Sequence, residues 1–176
     1  MKIFTMIIWI TGLSGSGKTT LARKLYLYIK KKAPNTIWID GDNFRKIVAP
    51  KVGYSKKERN QLFSRTYGFI KLCYSQNLNV IISILNFSKK TERDNKKNFK
   101  KYILIYLNSN INTLIKHDYK KIYKNNLKKK KPNIVGYDIK WENPIKPNLE
   151  IKDFFLKNKK EINFLIKSKI LKKLKL

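Results

Sequence analysis

The residues with the clearest chemical meaning form an uninterrupted G-x-x-x-x-G-K-T pattern, GLSGSGKT, at positions 12–19. Glycines let the backbone N–H groups of such a loop turn inward toward an anion, and a following helix N-terminus adds partial positive charge. In this pattern Lys18 reaches the β- and γ-phosphates, and the Thr19 hydroxyl binds Mg²⁺. We therefore predict an ATP site formed by Gly12, Ser14, Gly15, Ser16, Gly17, Lys18, Thr19 and Thr20.

A second polar group, DGDNFR at 40–45, follows an apolar run that is typical of a strand. Ligands of open α/β sheets bind at the carboxyl ends of the strands. Asp42 could orient an attacking hydroxyl or accept its proton, and could also hold the water shell of Mg²⁺. Arg45 would suit an anionic acceptor. We predict Asp42 and Lys18 as catalytic residues, and Thr19 and Asp42 as the metal-binding pair; capping of a helix is the alternative role for Asp42.

Strand and helix patterns that could position these residues alternate along the chain. This alternation indicates an α/β, P-loop NTPase-type three-layer sandwich, with a mostly parallel sheet and helices on both faces. The predicted strands lie near 3–11, 36–40, 79–85 and 102–107, and the predicted helices near 18–32, 55–76, 88–98 and 110–117.

The last third of the chain has a different character. Residues 118–148 are rich in Lys, Asn and Pro, and their length suits a lid over an active site; a disordered basic insert is the alternative. Residues 153–171 carry apolar side chains at helical spacing, which favours a packing helix over a basic amphipathic surface helix. We predict one kinase domain over residues 1–176, with no linker.

Composition narrows the protein class. Hydrophobic residues make up 42% of 176 residues, which is enough for a packed domain and argues against wholesale disorder. The single cysteine, Cys73, excludes an internal disulfide and a cysteine-based zinc site, and we expect it buried on a helix. Because no membrane span or secretory signal is recognisable, we expect a cytoplasmic protein.

The formal charge of +30 raises the question of a polyanionic partner. Nearly all of the excess is lysine, spread along the chain, whereas proteins that read nucleic acid favour arginine for bidentate contacts. We interpret the charge as a general lysine coat that binds polyanions loosely, and expect neither a specific nucleic acid nor a membrane as partner. A basic nucleic-acid-binding P-loop protein remains the alternative from another class.

Five segments in order resemble the adenylylsulfate (APS) kinase family. The phosphate loop and DGDNFR have the family's form, and GYS at 53–55 with ERN at 58–60 resembles its GFS…DRN segment. Asp118, Lys120, Tyr123 and Lys124 resemble its D-x-K-G-L-Y-K lid segment. Residues 136–147 resemble the family's TGIDxPYExPxxP signature. The matching residues are Gly136, Asp138, Trp141, Glu142, Pro144 and Pro147.

The resemblance implies ATP-dependent phosphorylation of the ribose 3′-hydroxyl of a small nucleotide, nominally adenylyl sulfate, with Mg²⁺ as cofactor. It implies that Asp42 acts on the acceptor hydroxyl and that the Tyr54 ring stacks on the acceptor base. The acceptor-binding residues that it implies are Asp40, Arg45, Tyr54, Arg59 and Lys120. Family members often form homodimers, so a homodimer is one expected assembly.

Three departures from the family pattern concern the acceptor. Leu62 stands where the family has an acceptor-binding Asn, Ile134 replaces an aromatic residue, and the arginine of ISPYR is missing from residues 84–88. A similar drift is seen in relatives that resemble surface-polysaccharide enzymes, one of which phosphorylates cytidine diphosphoramidate. The acceptor therefore stays open between adenylyl sulfate in sulfate assimilation and cytidine diphosphoramidate in capsule modification.

Two further readings are less favoured. A kinase of a sugar or a shikimate-like acid also places a D-x-D pair after its second strand, but Tyr54 and the segment 136–147 argue against it. A GTPase is disfavoured because residues 95–98, NKKN, fail the N-K-x-D base-reading motif at its last position. His117 replaces an arginine of the family's R-D-x-K segment, and we expect it at the surface or in the lid.

Overall fold

The computed structural model describes residues 5–85, 87–118, 121–128 and 133–174. In this part of the chain five parallel strands form one sheet in the order β2-β3-β1-β4-β5, which confirms the predicted α/β class. β1, which leads into the phosphate loop, lies in the centre. The strands are β1 (Ile7–Gly12), β2 (Thr36–Asp40), β3 (Asn79–Ser83), β4 (Tyr102–Asn108) and β5 (Leu149–Lys152).

β5 was not predicted. It has four residues, only one of them buried, so that its sequence LEIK carries little periodic signal. Its strand character comes from pairing with the exposed edge of β4, where Leu107 lies opposite Ile151. An edge strand this short is defined by its neighbour, because its own side chains bury little surface.

The helices agree with the predicted ranges to within one residue at each end for α1, α3, α4 and α5. α2, in contrast, was not predicted, because DGDNFR was interpreted only as a site segment. The helices that precede β5 are α1 (Lys18–Lys32), α2 (Gly41–Val48), α3 (Lys56–Ser75), α4 (Lys89–Asn98), α5 (Ile111–His117) and α6 (Ile122–Asn126).

Alternating side chains of β1 face two hydrophobic layers. Ile8 and Ile10 pack with α1 and the C-terminal helices, while Ile7 and Trp9 pack with α3 on the opposite face. This alternation follows from the two-residue period of a strand, and the sheet is therefore covered by helices on both sides. Cys73 lies buried on α3 as expected, and burial raises the pKa of its thiol.

The C-terminal segment begins with a 3₁₀ turn (Phe154–Leu156) and continues through α7 (Lys159–Leu165), a π-helical stretch (Ile166–Leu171) and α8 (Lys172–Leu174). α7 starts at a capping box between Asn158 and Glu161. The apolar residues predicted to pack do so at Ile162, Leu165, Ile166 and Ile170, which are all buried against α1 and the sheet.

Within the residues that the structure describes, no helix is long and apolar enough to cross a membrane. In the same ranges, no cluster of three or more His, Cys, Asp or Glu side chains could hold a metal ion by itself.

Two glycines provide a matched test of backbone strain. Gly17 has φ 93°, and a Cβ atom there would lie 2.5 Å from Phe154 Cδ1, whereas Gly68 lies in α3 with nothing within 4 Å of its Cβ position. We expect Gly17→Ala to lower the free energy of unfolding by about 1–3 kcal/mol. Gly68→Ala should raise it by about 0.5–1 kcal/mol. Urea unfolding of both variants checks this pair, and equal shifts would contradict it.

Candidate active site

The phosphate loop joins the end of β1 to the start of α1. Gly15 and Gly17 adopt positive φ values of 82° and 93°, which turn the loop back on itself. The Lys18 ammonium donates hydrogen bonds to the carbonyls of Gly12, at 2.9 Å, and Leu13, at 2.7 Å. The cation thus already lies across the loop that we predict to cradle phosphate, and the local structure keeps its charge there.

Residues that are distant in the sequence support the phosphate loop. The Tyr123 hydroxyl donates to the carbonyl of Ser14 at 2.9 Å, and the ring is buried. Burial raises the pKa of Tyr123 to about 12, so that it stays a neutral donor. Phe154 fills the space beside Gly17. These contacts preorganise the backbone of the loop, which is what a phosphate cradle needs.

Asp40 connects the phosphate loop to the second polar segment. Its Oδ2 atom accepts hydrogen bonds from Thr19 Oγ1 at 2.8 Å and Ser83 Oγ at 2.9 Å, while its Oδ1 atom caps α2 at the N–H of Asn43. The side chain is buried. Sequence reasoning placed Asp40 on the acceptor side, whereas its carboxylate here faces the predicted metal-binding threonine. Only the fold brings these three polar residues together.

Asp42 lies in the exposed first turn of α2, two residues beyond Asp40. A carboxylate is favoured there by the helix dipole. Burial lowers the pKa of the Arg59 guanidinium, and the positive charge of Arg45 lowers it further. Tyr54, Asp138 and Asp42 act in the opposite direction. The negative charge of Asp42 therefore acts on Arg59, one of the predicted acceptor-binding residues.

Arg45, Tyr54 and Arg59 form one cluster, as the sequence predicted for an acceptor site. The Cζ atoms of Arg45 and Arg59 lie 4.0 and 5.4 Å from the centre of the Tyr54 ring. Arg45 also donates to the carbonyls of Val52, at 2.6 Å, and Gly53. Two guanidinium groups therefore lie close to the exposed Tyr54 ring, and their positive charges attract anions.

The remaining predicted site residues are placed as follows. Lys120 lies outside the described residues. His117 is exposed at the end of α5, with its Nδ1 atom 3.0 Å from the carbonyl of Thr113 and its ring against Phe155. This position agrees with the surface or lid role that we expected. Thr20 is exposed in the first turn of α1.

Two carboxylates in the segments that resemble the family accept hydrogen bonds from backbone N–H groups. Glu58 accepts from the N–H groups of Gly53 and Ser55, and these bonds together with the Ser55 hydroxyl lower its pKa. Asp138 accepts from the N–H groups of Asn133, at 2.8 Å, and Ile134. The Glu58 carboxylate therefore shapes the loop that carries Tyr54. The Asp138 carboxylate shapes the turn at Asn133, whose carbonyl accepts a hydrogen bond from Arg59.

Sequence reasoning missed Glu92, which anchors the end of the predicted lid. This buried carboxylate on α4 accepts from the N–H groups of Ile145 at 2.7 Å and Lys146 at 2.9 Å, and from Lys96 Nζ at 2.5 Å. Burial by itself raises its pKa, but these hydrogen bonds outweigh burial, and the net pKa is lower than the usual 4.5. No local pattern signals this contact, because Glu92 and Ile145 are 53 residues apart.

We expect Glu92→Gln to lower the free energy of unfolding by about 1–3 kcal/mol at neutral pH, because it weakens three hydrogen bonds to a buried carboxylate. The folded-state pKa is lowered, so the stabilisation is fully present above about pH 4.5 and is lost as the pH falls through the folded-state pKa. Urea unfolding across pH checks this, with Glu150→Gln at an exposed carboxylate as control. A difference from the unsubstituted protein that persists in strong acid would contradict it.

Comparison with known proteins agrees with this geometry. A family model described as adenylylsulphate kinase matches residues 4–152. A cytidine diphosphoramidate kinase of Campylobacter jejuni is 35% identical over 144 residues, which cover 82% of this chain and 84% of the relative. A probable adenylyl-sulfate kinase of Pyrococcus abyssi is 30% identical, with 86% of each chain covered.

Solved structures share the fold. The crystal structure of APE1195 is 26% identical and superposes with a TM-score of 0.75, covering 93% of each chain. The Mycobacterium tuberculosis APS kinase in complex with AMPPNP and APS superposes with a TM-score of 0.77 at 18% identity, covering 98% of each chain. The resemblance of the sequence motifs is thereby confirmed: this chain belongs to the adenylylsulphate kinase family and is a phosphotransferase that uses an alcohol group as acceptor.

Proposed function

We propose that this kinase transfers the γ-phosphoryl group of ATP to the ribose 3′-hydroxyl of a small nucleotide. The observation that supports this most directly is the hydrogen-bonded connection from the phosphate loop through Thr19 and Asp40 to α2. α2 carries both Asp42 and Arg45, so a single rigid element links the donor cradle to the cationic, aromatic acceptor cluster.

Each group has a definite task in this proposal. Lys18 neutralises charge on the transferring phosphoryl group, and the backbone of the loop holds the donor phosphates. Asp42 orients the acceptor hydroxyl and receives its proton. Arg45 and Arg59 bind the anionic part of the acceptor. The predicted lid, residues 118–148 with Lys120, would exclude water and so limit hydrolysis of ATP.

The chemistry of the donor groups fits Mg²⁺. Thr19 Oγ1 and the Asp40 carboxylate are hard oxygen ligands or hydrogen-bonding partners of coordinated water, and they lie 2.8 Å apart beside the loop. Mg²⁺ bound there, with Asp42 nearby, would neutralise charge on the donor phosphates. We propose that Asp40 acts mainly by positioning Thr19, because its carboxylate is already engaged by two hydroxyl groups.

The acceptor is proposed from two candidates. Adenylyl sulfate is the nominal acceptor of the family. Cytidine diphosphoramidate is favoured by the 35% identical relative, and two side chains argue against the acceptor contacts that the family pattern provides for adenylyl sulfate. Leu62 and Ile134 are both buried, and Ile134 packs with Leu13, Leu114 and Tyr123 beneath the phosphate loop. An apolar side chain directed into the core cannot supply the aromatic contact that the family pattern has at the Ile134 position.

A panel of acceptors tests the proposal. Mg·ATP is supplied with adenylyl sulfate, cytidine diphosphoramidate, a hexose or shikimate, and ADP release is measured with mass spectrometry of the product. We expect transfer to one of the two nucleotides and none to its 3′-deoxy analogue. Transfer to the hexose or shikimate alone, or salt-resistant sub-micromolar RNA binding without any transfer, would refute a nucleotide 3′-kinase.

We also propose that the kinase works in the cytoplasm, in either sulfate assimilation or capsule modification, and that it forms a homodimer. One solved structure of similar fold, at 20% identity, is described as a hexameric APS kinase from Thiobacillus denitrificans, so a hexamer is the alternative outcome. Light scattering after size-exclusion chromatography tests the dimer, and a monomer at micromolar concentration would contradict it.

A further inference from the structure

A buried hydroxyl group, that of Ser83 at the end of β3, contacts the carboxylate that also binds Thr19. The register of the sheet explains its place, because β2 and β3 run parallel with Asp40 opposite Ser83. Side chains two residues apart share one face of a strand, so Trp38 lies on the same face as Asp40. That face is covered by α1, which carries Thr19 in its first turn. The sheet thus brings an indole, a carboxylate and a hydroxyl group together beside Thr19.

The hydrogen bonds of this group have a defined direction. The Trp38 indole can only donate, and its Nε1 atom lies 3.0 Å from Ser83 Oγ. Ser83 therefore accepts from Trp38 and gives its single proton to Asp40 Oδ2, which lies 2.9 Å away. The series of donors thus runs from the indole through the serine hydroxyl to the carboxylate.

The same rule decides how the Thr19 hydroxyl points. A carboxylate accepts and does not donate, so the proton of Thr19 Oγ1 is directed to Asp40 Oδ2 at 2.8 Å. The lone pairs of Thr19 Oγ1 are then available to a hard cation such as Mg²⁺. This orientation persists only as long as the Asp40 carboxylate is itself restrained.

The Asp40 carboxylate is restrained at both oxygen atoms. Oδ1 caps α2, and Ser83 is the second donor to Oδ2. The end of β3 lies tightly against the start of α2, since a Cβ atom on Gly41 would be 3.2 Å from the Ser83 carbonyl oxygen. Trp38 in turn packs against Tyr26 of α1, with ring centres 6.2 Å apart. Ser83 is therefore a well-supported restraint on the oxygen atom that orients Thr19.

We propose that Ser83 is a positioning residue for the donor metal: it restrains Asp40 so that the Thr19 hydroxyl presents its lone pairs to Mg²⁺. Trp38 contributes by setting the direction of the Ser83 hydroxyl. The inference rests on the proposed Mg²⁺-dependent kinase and adds two residues to its donor site. Because Ser83 acts through Asp40 and Thr19, its loss should weaken binding of the metal–nucleotide complex more than binding of the metal-free nucleotide.

Equilibrium calorimetry tests this without any phosphoryl transfer. Binding of AMPPNP, a non-hydrolysable ATP analogue, is measured with excess Mg²⁺ and again in EDTA, and the ratio of the two affinities is the advantage conferred by the metal. We expect Ser83→Ala to lower this ratio by about 10-fold, the usual loss for a partner of a metal ligand, with the affinity in EDTA unchanged. An unchanged ratio, including an equal loss of affinity with and without Mg²⁺, would overturn the proposal.

Two further variants separate the hydroxyl group from the volume of the side chain. Ser83→Thr keeps the hydroxyl and should restore most of the ratio. Trp38→Phe keeps an aromatic ring against Tyr26 but removes the indole donor, and it should lower the ratio by less than Ser83→Ala because Ser83 can still donate to Asp40. A Ser83→Thr variant with the same low ratio as Ser83→Ala would show that the hydroxyl is not the cause.

Thr66→Val is the matched control. Thr66 carries a buried hydroxyl that donates to the carbonyl of Leu62 at 2.8 Å within α3. The substitution removes a buried hydroxyl group of similar environment, and we expect it to leave the ratio unchanged. A ratio lowered as far as in Ser83→Ala would indicate a general effect of losing a buried hydroxyl and would refute the specific role of Ser83.

The failures of the two proposals can be told apart. If Mg²⁺ does not strengthen AMPPNP binding to the unsubstituted protein, the proposed metal site itself is wrong. If Mg²⁺ strengthens binding equally in the unsubstituted protein and in Ser83→Ala, the metal site stands and the role of Ser83 is wrong. If the ratio falls in Ser83→Ala but no nucleotide acceptor is phosphorylated, the role of Ser83 stands and the nucleotide 3′-kinase proposal is wrong.

Discussion

Lys18→Ala is expected to lower kcat for phosphoryl transfer by about 10²–10³-fold, the usual loss when one preorganised charge is removed from a transition state. The ammonium is the cation held across the phosphate loop by the carbonyls of Gly12 and Leu13. Its removal costs two local hydrogen bonds, but the support from Tyr123 and Phe154 remains. We therefore expect a folded protein with little activity.

The matched control for Lys18→Ala is Lys31→Ala, an exposed lysine in the last turn of the same helix. Both variants change the net charge equally, so a general effect of the lysine coat would appear in both. Steady-state kinetics and thermal unfolding are measured for each. Equal activities of the two variants would remove Lys18 from the proposed transition state.

Asp42→Asn is expected to lower kcat by about 10²–10⁴-fold, because the amide has nearly the same shape but cannot accept the proton of the acceptor hydroxyl. The side chain is exposed in the first turn of α2, where loss of its charge costs at most about 1 kcal/mol of stability. The effect should therefore appear in turnover and not in folding.

Asp94→Asn is a suitable control for Asp42→Asn, since Asp94 is partly exposed and forms a salt bridge with the exposed Lys90 one turn earlier in α4. Transfer to the acceptor is measured beside hydrolysis of ATP in its absence. We expect transfer to fall while the slow hydrolysis persists. Turnover at the level of the unsubstituted kinase in Asp42→Asn would exclude this carboxylate from the mechanism.

The features that could be predicted are those with a local cause. The glycine pattern at 12–19 specifies a turn and an anion-binding backbone within eight residues, whatever surrounds it. The β-branched runs and the apolar spacing of α1 and α3 likewise predict elements within a few residues of their ends. The polar cluster at 40–45 was recognised as a site, but its helix was missed because the segment was interpreted only through its polar residues, and none of the residues of α2 is buried.

The orientation of individual side chains could not be predicted in the same way. Ile134, which replaces an aromatic residue of the family pattern, packs in the core against Leu13, next to the turn whose N–H groups Asp138 binds. Asp40, which the family resemblance assigned to acceptor binding, accepts a hydrogen bond from Thr19 of the phosphate loop. The position of each side chain depends on contacts between segments that lie 20 residues or more apart in the sequence.

Local sequence thus predicts a nucleoside triphosphate site at the end of a strand of a parallel sheet, because turn geometry and periodicity depend on neighbouring residues. The three-dimensional fold decides how the phosphate loop and the predicted acceptor residues are arranged: it joins Thr19 to Asp40 and places Arg45 over Tyr54. These contacts join residues that share no local pattern, and their strength comes from burial and from geometry that exists only once the sheet and its helices have packed.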